Sequence, residues 1–389
     1  MSRTRCAGLL LALAASSACA ADGAAAGNPN AFNPAISLIL SGLYTRTSQD
    51  PANYAINGAP LTPDAEVGPG TRGFSLAETE LGFSASVDPF WRGAANISLH
   101  PDDTASVEEA FVQTTALGEG FGLKMGRFFS AVGYLNAQHA HTWDFVDAPL
   151  AYQAFLGGQY GDDGVQLTWL APTDLFVELG AELARGRTFP GGDDSRNGAG
   201  MSALTAHLGG DVGTSHSWRA GVSVLSAKAG AQDLQWTDRA GSVQSATFDG
   251  RTRVWVADAV WKWAPEGNAT RTNFKLQGEW LRSTRSGSLS DGSDAASTRN
   301  GGYVQAVWQF MPRWRVGART ERLSQVDDVF TSEGGAAKRQ SLMVDWSPSE
   351  FSRIRLQVAD DRARPDGTRD RQLFLQYQMS LGAHGAHAF

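Results

Sequence analysis

The sequence predicts an all-β chain closed into a transmembrane antiparallel β-barrel of about sixteen strands. Three observations carry that expectation. Apolar and polar residues alternate with period two in segments of about ten residues. The links between segments alternate between short and long, and tryptophans gather beside the short links.

The alternation runs along the whole chain. Leu81, Phe83, Ala85 and Val87 interleave with Glu80, Gly82, Ser84 and Ser86. Trp314, Val316 and Ala318 interleave with Arg315, Gly317 and Arg319, and Leu373, Leu375, Tyr377, Met379 and Leu381 stand opposite Gln376 and Gln378. Strands buried on both faces would be apolar throughout; these have one apolar face and one polar face. Candidate strands fall near 34–45, 73–88, 91–100, 105–115, 120–127, 160–171, 173–186, 200–211, 215–228, 250–263, 270–285, 300–311, 314–325, 336–347, 351–361 and 370–381.

The links separate the two ends of this barrel. Five of the short ones carry a proline (Pro89, Pro172, Pro265, Pro312 and Pro348), which suits a tight turn and excludes a central strand. Most of the others are long and rich in Gly, Ser and Asp, as at 46–72, 187–199, 229–249 and 286–299. Short periplasmic turns and long extracellular loops are the asymmetry of an outer-membrane barrel. Trp91, Trp169, Trp218, Trp261, Trp263, Trp308, Trp314 and Trp346, eight of the 12 tryptophans, sit at the short-turn ends. Indole prefers that headgroup level, where the ring is apolar and its N–H stays wet.

The first residues read as a processing segment. Arg3 and Arg5 precede an apolar stretch, Cys6 to Ala15, and Ala18-Cys19-Ala20 offers a small-x-small cleavage pattern. The expected organisation is a signal peptide at 1–20, a leader at 21–33 and the barrel at 34–389. Lipidation at Cys19 is disfavoured by Ser16 three positions earlier. Both cysteines lie in the signal segment, so no disulfide or thiolate site is expected beyond it. No apolar run approaches the roughly 18 residues of a transmembrane helix. The net charge of −7 is spread out and no basic block occurs, which argues against a nucleic-acid partner.

The segment 128–159 is too long for an ordinary loop and too apolar for a solvated one. Inside a barrel of this size it has the lumen to fold into. At this point the chain resembles the phosphate-selective porin family. Gly126-Arg127-Phe128 followed by Gly133-Tyr134-Leu135 is similar to that family's Gly-x-Phe…Gly-Leu segment, and Asp144-Phe145-Val146-Asp147-Ala148-Pro149 is similar to the stretch before its sixth strand. The resemblance implies a barrel of about sixteen strands, a homotrimer, and the third long loop folded inward as a constriction. That family's phosphate-binding members line the pore with arginine and lysine, whereas this chain has five lysines and no lysine cluster, so phosphate itself is not implied.

If apolar positions face lipid, their alternates face the lumen. Arg315, Arg319, Arg353, Arg355, Lys262 and Lys275 then point inward, with Glu321 among them, and Glu78, Glu80, Glu178 and Glu182 form an acidic counterpart. The loop adds Asp144 and Asp147, with Asp162 and Asp163 at its far end. Opposed charged walls would set up a transverse field and tune ion selectivity. His139 and His141, with Asp144 nearby, are candidate zinc or nickel ligands; two solvated loop histidines are the plainer alternative. No G-x-S-x-G, Walker, Rossmann or H-E-x-x-H motif occurs, so neither catalysis nor a cofactor is expected. The expected function is passive diffusion of small hydrophilic solutes, with anion preference from the arginine face. The rival is a plugged barrel that binds a surface partner or serves metal uptake.

Overall fold

The computed structural model describes residues 34–77, 79–192, 197–238 and 240–382. The signal peptide, the leader and Glu78 lie outside them. The strands are β1 (Ala35–Thr47), β2 (Gly73–Leu76), β3 (Thr79–Ser86), β4 (Trp91–Leu99), β5 (Ala105–Thr114), β6 (Phe121–Phe129), β7 (Gly161–Leu170), β8 (Phe176–Ala184) and β9 (Met201–Val212). They continue as β10 (His216–Thr237), β11 (Val243–Trp263), β12 (Asn273–Leu289), β13 (Ser297–Met311), β14 (Trp314–Leu323), β15 (Lys338–Ser349), β16 (Ser352–Asp361) and β17 (Asp370–Gly382). The single α-helix among the described residues is α1 (Leu150–Leu156).

Apart from β2 and β3, each strand pairs antiparallel with its neighbours in sequence, and β1 pairs with β17 from Ser37↔Gly382 to Thr47↔Gln372. On its other side β1 pairs with both β2 and β3, so these two short strands share one place in the wall. The described residues therefore form a closed antiparallel barrel of 16 strands. Closure leaves no sheet edge with unpaired backbone, the condition for crossing hydrocarbon.

The alternation resolves into an inside and an outside. Leu342, Leu356 and Leu375 are 60 %, 41 % and 45 % exposed, while the adjacent Ser341, Gln357 and Gln376 are buried. An apolar surface turned outward around a polar interior suits a lipid solvent. Trp308, Trp314 and Trp346 lie outward beside the short turns, and the last two stack across β14 and β15 with ring centroids 5.9 Å apart.

One long link differs from expectation. Segment 229–249 is not a loop: β10 and β11 run on past a register shift between Ala229 and Gln232, and a short turn after Thr237 joins them. In this extension Gln232 and Leu234 turn inward and are buried, as is Phe248 opposite. Beyond the apolar belt a strand has no lipid face to mark it, so Gly, Ser and Asp there do not signal a loop.

Candidate functional site

Segment 130–160 folds into the barrel and is tied to the wall on several sides. Its ends are clipped together by Asn136, whose amide nitrogen donates to the carbonyls of Ser130 and Tyr160, both at 2.8 Å. Asn136 Oδ1 accepts from the Tyr160 N–H at 2.8 Å. Near the entrance, Glu182 of β8 accepts from the Ser130 hydroxyl at 2.5 Å and the Ala131 N–H at 2.8 Å. Glu279 of β12 accepts from the N–H groups of Tyr134 and Leu135 and from the hydroxyls of Tyr152 and Tyr303.

Further along, the loop is gripped by β12 to β16. Asp144 pairs with Lys275 of β12 and with Arg315 of β14 at 3.2 Å, and Arg315 also holds Asp345 of β15. Asp147 lies 2.7 Å from Arg319 and 2.8 Å from Arg339, both of which bind Glu321. Arg353 donates to the carbonyl of His141, and Arg355 to that of Trp143. The backbone N–H of Leu150 donates to Glu321 at 2.6 Å, which satisfies one of the orphan donors that open α1. These grips bury Arg319, Arg339 and Arg355 to 3 % exposure or less.

Helix α1 is surrounded by protein, and its one side-chain amide, Gln153, accepts from the Gly68 N–H and donates to the Ala148 carbonyl. All seven of its residues are buried, and it ends at Gly157, whose φ of +70° is a left-handed cap that glycine adopts without strain. Gly301 of β13 brings the wall close: a Cβ there would meet Ala151 and Phe155 at 3.2 Å. Ile56 and Leu61 of the first long loop, Phe189, Phe330 and Ala363 join Leu150, Phe155 and Leu156 in one apolar cluster. The long-loop half of the interior is thus a packed core.

Several residues expected in the site are therefore brought together: Arg315, Lys275 and Asp144, then Arg319 and Asp147, with Arg353 and Arg355 beside them. Lys262 and Glu178 face the interior apart from the loop, Glu178 lying 3.3 Å from His207. The opposed acidic and basic walls are corrected, because the loop carries acids onto the basic wall and Glu321 and Asp345 already stand on it. Asp163 is also corrected: it alternates with the buried Asp162 and pairs with Arg127 at 2.7 Å, away from the loop. The grouping of Asp144 with the histidines fails too, since its partners are Lys275 and Arg315. His139 and His141 instead face Glu80 of β3 and the adjacent Glu108 and Glu109 of β5.

Charge holds the loop acids ionised. Burial pushes the Asp147 carboxyl up, but the Arg339 and Arg319 guanidiniums outweigh it and set it at about 2. Because this lies below the ordinary carboxyl value of about 3.9, its contribution to docking is full above that value and is lost as pH falls through about 2. Acidification from pH 4 to pH 2 should therefore loosen the loop. Pepsin should then cut within 139–157 faster at pH 2, whereas Asp147→Asn barrels are cut fast at both values. Equal resistance of the two proteins at pH 4 would contradict this role.

Glu108, Glu109, Glu279, Arg339 and Asp345 were missed in the sequence. Each of the last three lies on a polar face that alternation identifies, but nothing local shows which loop atom it meets.

The closed strand order and the inward loop define the architecture of outer-membrane porins. Solved structures agree on the fold. An anion-selective porin from Comamonas acidovorans superposes with a TM-score of 0.57 at 10 % identity, over 90 % of this chain and 99 % of that one. The outer-membrane channel DcaP of Acinetobacter baumannii gives 0.55 at 11 % identity, over 90 % and 97 %. The trimer form of OmpT, an outer membrane protein of Vibrio cholerae, gives 0.55 at 9 % identity, over 90 % and 99 %. The chain belongs to the same family as an uncharacterized protein of Aquifex aeolicus strain VF5, with which it is 30 % identical over 392 residues, 92 % of this chain and 80 % of the relative. No protein-family model matches the chain.

Proposed function

We propose that the protein is an outer-membrane diffusion channel for small hydrophilic solutes, narrowed by the 130–160 loop and preferring anions. The single observation that carries this reading is the division of the interior. The long-loop half is filled by the docked loop, while the short-turn half keeps lumen-facing cations partly exposed. Arg315 and Lys275 retain 25 % and 21 % side-chain exposure, and Lys262, Arg219 and Arg353 are half-buried. Glu178 and Asp211 share this half, Asp258 lies buried near Arg219, and Asp144 and Asp345 beside Arg315 are buried. A basic vestibule raises the local concentration of anions.

The anion-selective character of the Comamonas structural neighbour and the likeness of 126–149 to phosphate-selective porins agree with this preference. The trimer form of the Vibrio neighbour supports a homotrimer, with outer-membrane lipid around it. The reading assigns no catalysis to the chain. Reversal potentials in planar bilayers under a KCl gradient test it. Wild-type barrels should favour chloride, and Arg315→Gln/Lys262→Gln should shift selectivity towards potassium; an unchanged reversal potential would sink the anion preference.

The plugged barrel remains a second reading, favoured by the complete burial of α1. It predicts no stable current from the wild type and a clear current once the loop is removed.

A further inference from the structure

Three donor groups converge inside the barrel, and a fourth group, a carboxylate, flanks one of them. Glu80 Oε2, on β3, stands 3.3 Å from His139 Nδ1 and 3.0 Å from His141 Nδ1. Glu108 Oε2, on β5, stands 3.4 Å from His139 Nδ1. The donors of Glu80, His139 and His141 all lie within 4.8 Å of one another. Ligands bound at about 2.0–2.2 Å to a tetrahedral ion are about 3.3–3.5 Å apart. The spacings of 3.0 and 3.3 Å from Glu80 to the two imidazoles, and of 3.4 Å from Glu108 to His139, are close to three edges of such a tetrahedron, and an ion would draw Glu108 in to complete it.

A strand irregularity supplies one of these groups and its neighbour. In the pairing of β4 with β5, Asn96 faces Glu109 and Ile97 faces Val107, so Glu108 is an extra residue. In regular pairing, adjacent residues point to opposite faces, and one of the two glutamates would enter lipid. The bulge turns both towards His139, a re-aiming that bulges commonly perform.

The second glutamate prepares the imidazole. Glu109 Oε2 lies 2.9 Å from His139 Nε2, beside the Asn96 amide at 3.0 Å, and in the metal-binding tautomer it would hold the ring proton there. The lone pair on Nδ1 then points at the convergence, an arrangement typical of metal-binding histidines. His139 Nδ1 and Glu108 Oε2 are buried and face each other at 3.4 Å, yet neither makes a hydrogen bond. The two rings stack with centroids 5.6 Å apart, so both Nδ1 atoms approach from the loop side.

We propose that Glu80, Glu108, His139 and His141 bind one divalent transition-metal ion of the zinc class, clamping the inserted loop to β3 and β5. Two imidazole nitrogens with two carboxylate oxygens suit zinc and its neighbours better than calcium or magnesium, which take oxygen ligands alone. The ion would neutralise the carboxylates that the loop histidines otherwise face.

Isothermal titration of EDTA-stripped, detergent-folded barrels with zinc chloride tests this without any current measurement, so its outcome is separate from that of the channel reading. The wild type should take up one ion per chain. Glu108→Gln and His141→Ala should each weaken binding at least about tenfold, with heat-modifiable gel migration reporting that the barrel is folded. Cobalt(II) should give the visible absorption of a four-coordinate site. Absence of saturable binding would overturn the proposal. So would binding that survives in folded Glu108→Gln and His141→Ala barrels but is lost in His384→Ala/His387→Ala.

Discussion

Excising residues 139–156 and bridging the gap with a short Gly-Ser linker is expected to raise single-channel conductance by roughly three- to tenfold, because current through a pore follows its narrowest cross-section. The segment removed contains α1 and the acids Asp144 and Asp147, which together occupy the interior beside β12 to β16. The barrel itself should survive, since the closing pairs of β1 with β17 and of β6 with β7 involve no loop residue. Planar-bilayer recordings of the folded deletion provide the measurement. A conductance equal to wild type would show that the docked loop does not govern the path.

Replacing Arg339 by alanine is expected to cost about 3–5 kcal/mol, the range for removing one partner of a buried ion cluster. Arg339 is 1 % exposed and touches Asp147 and Glu321, with Asp361 at 3.8 Å. Its loss leaves three carboxylates with Arg319 as the remaining nearby cation, and it removes one of the two donors to the Ala148 carbonyl, the other being Gln153. Urea unfolding in lipid vesicles should show the loss, and Arg339→Met/Glu321→Gln should recover part of it by removing charge of both signs. A double variant no more stable than Arg339→Ala would indicate that packing of the long side chain, and not the stranded charge, dominates.

The wall of the barrel was legible because lipid imposes its rule on each residue independently. Leu342, Leu356 and Leu375 meet acyl chains whatever their neighbours do, so period two is enough to place them. Trp308, Trp314 and Trp346 were readable for the same reason, since depth alone selects indole. The loop was legible in place but not in detail. Its length and apolar content leave it only the lumen, yet the partners of Asp147 and Leu150 come from positions some 170 to 190 residues later. The bulge at Glu108 was invisible because paired glutamates in a strand look like one inward and one outward residue. Asp144 was grouped with the histidines by sequence distance, whereas Lys275 and Arg315 decide its position by charge.

The clip at Asn136 and the anchors on β12 to β16 also bear on assembly. Leu150, Phe155 and Leu156 emerge from synthesis long before the strands that enclose them, and the seam between β1 and β17 can seal only at the end. Until then an apolar helix waits beside an open sheet, the kind of exposure that invites aggregation. Contacts of such long sequence separation make closure slow. Closure of the seam and docking of the loop are therefore coupled, since the partners of Asp147 and Leu150 are in place only once β14 and β15 have joined the wall.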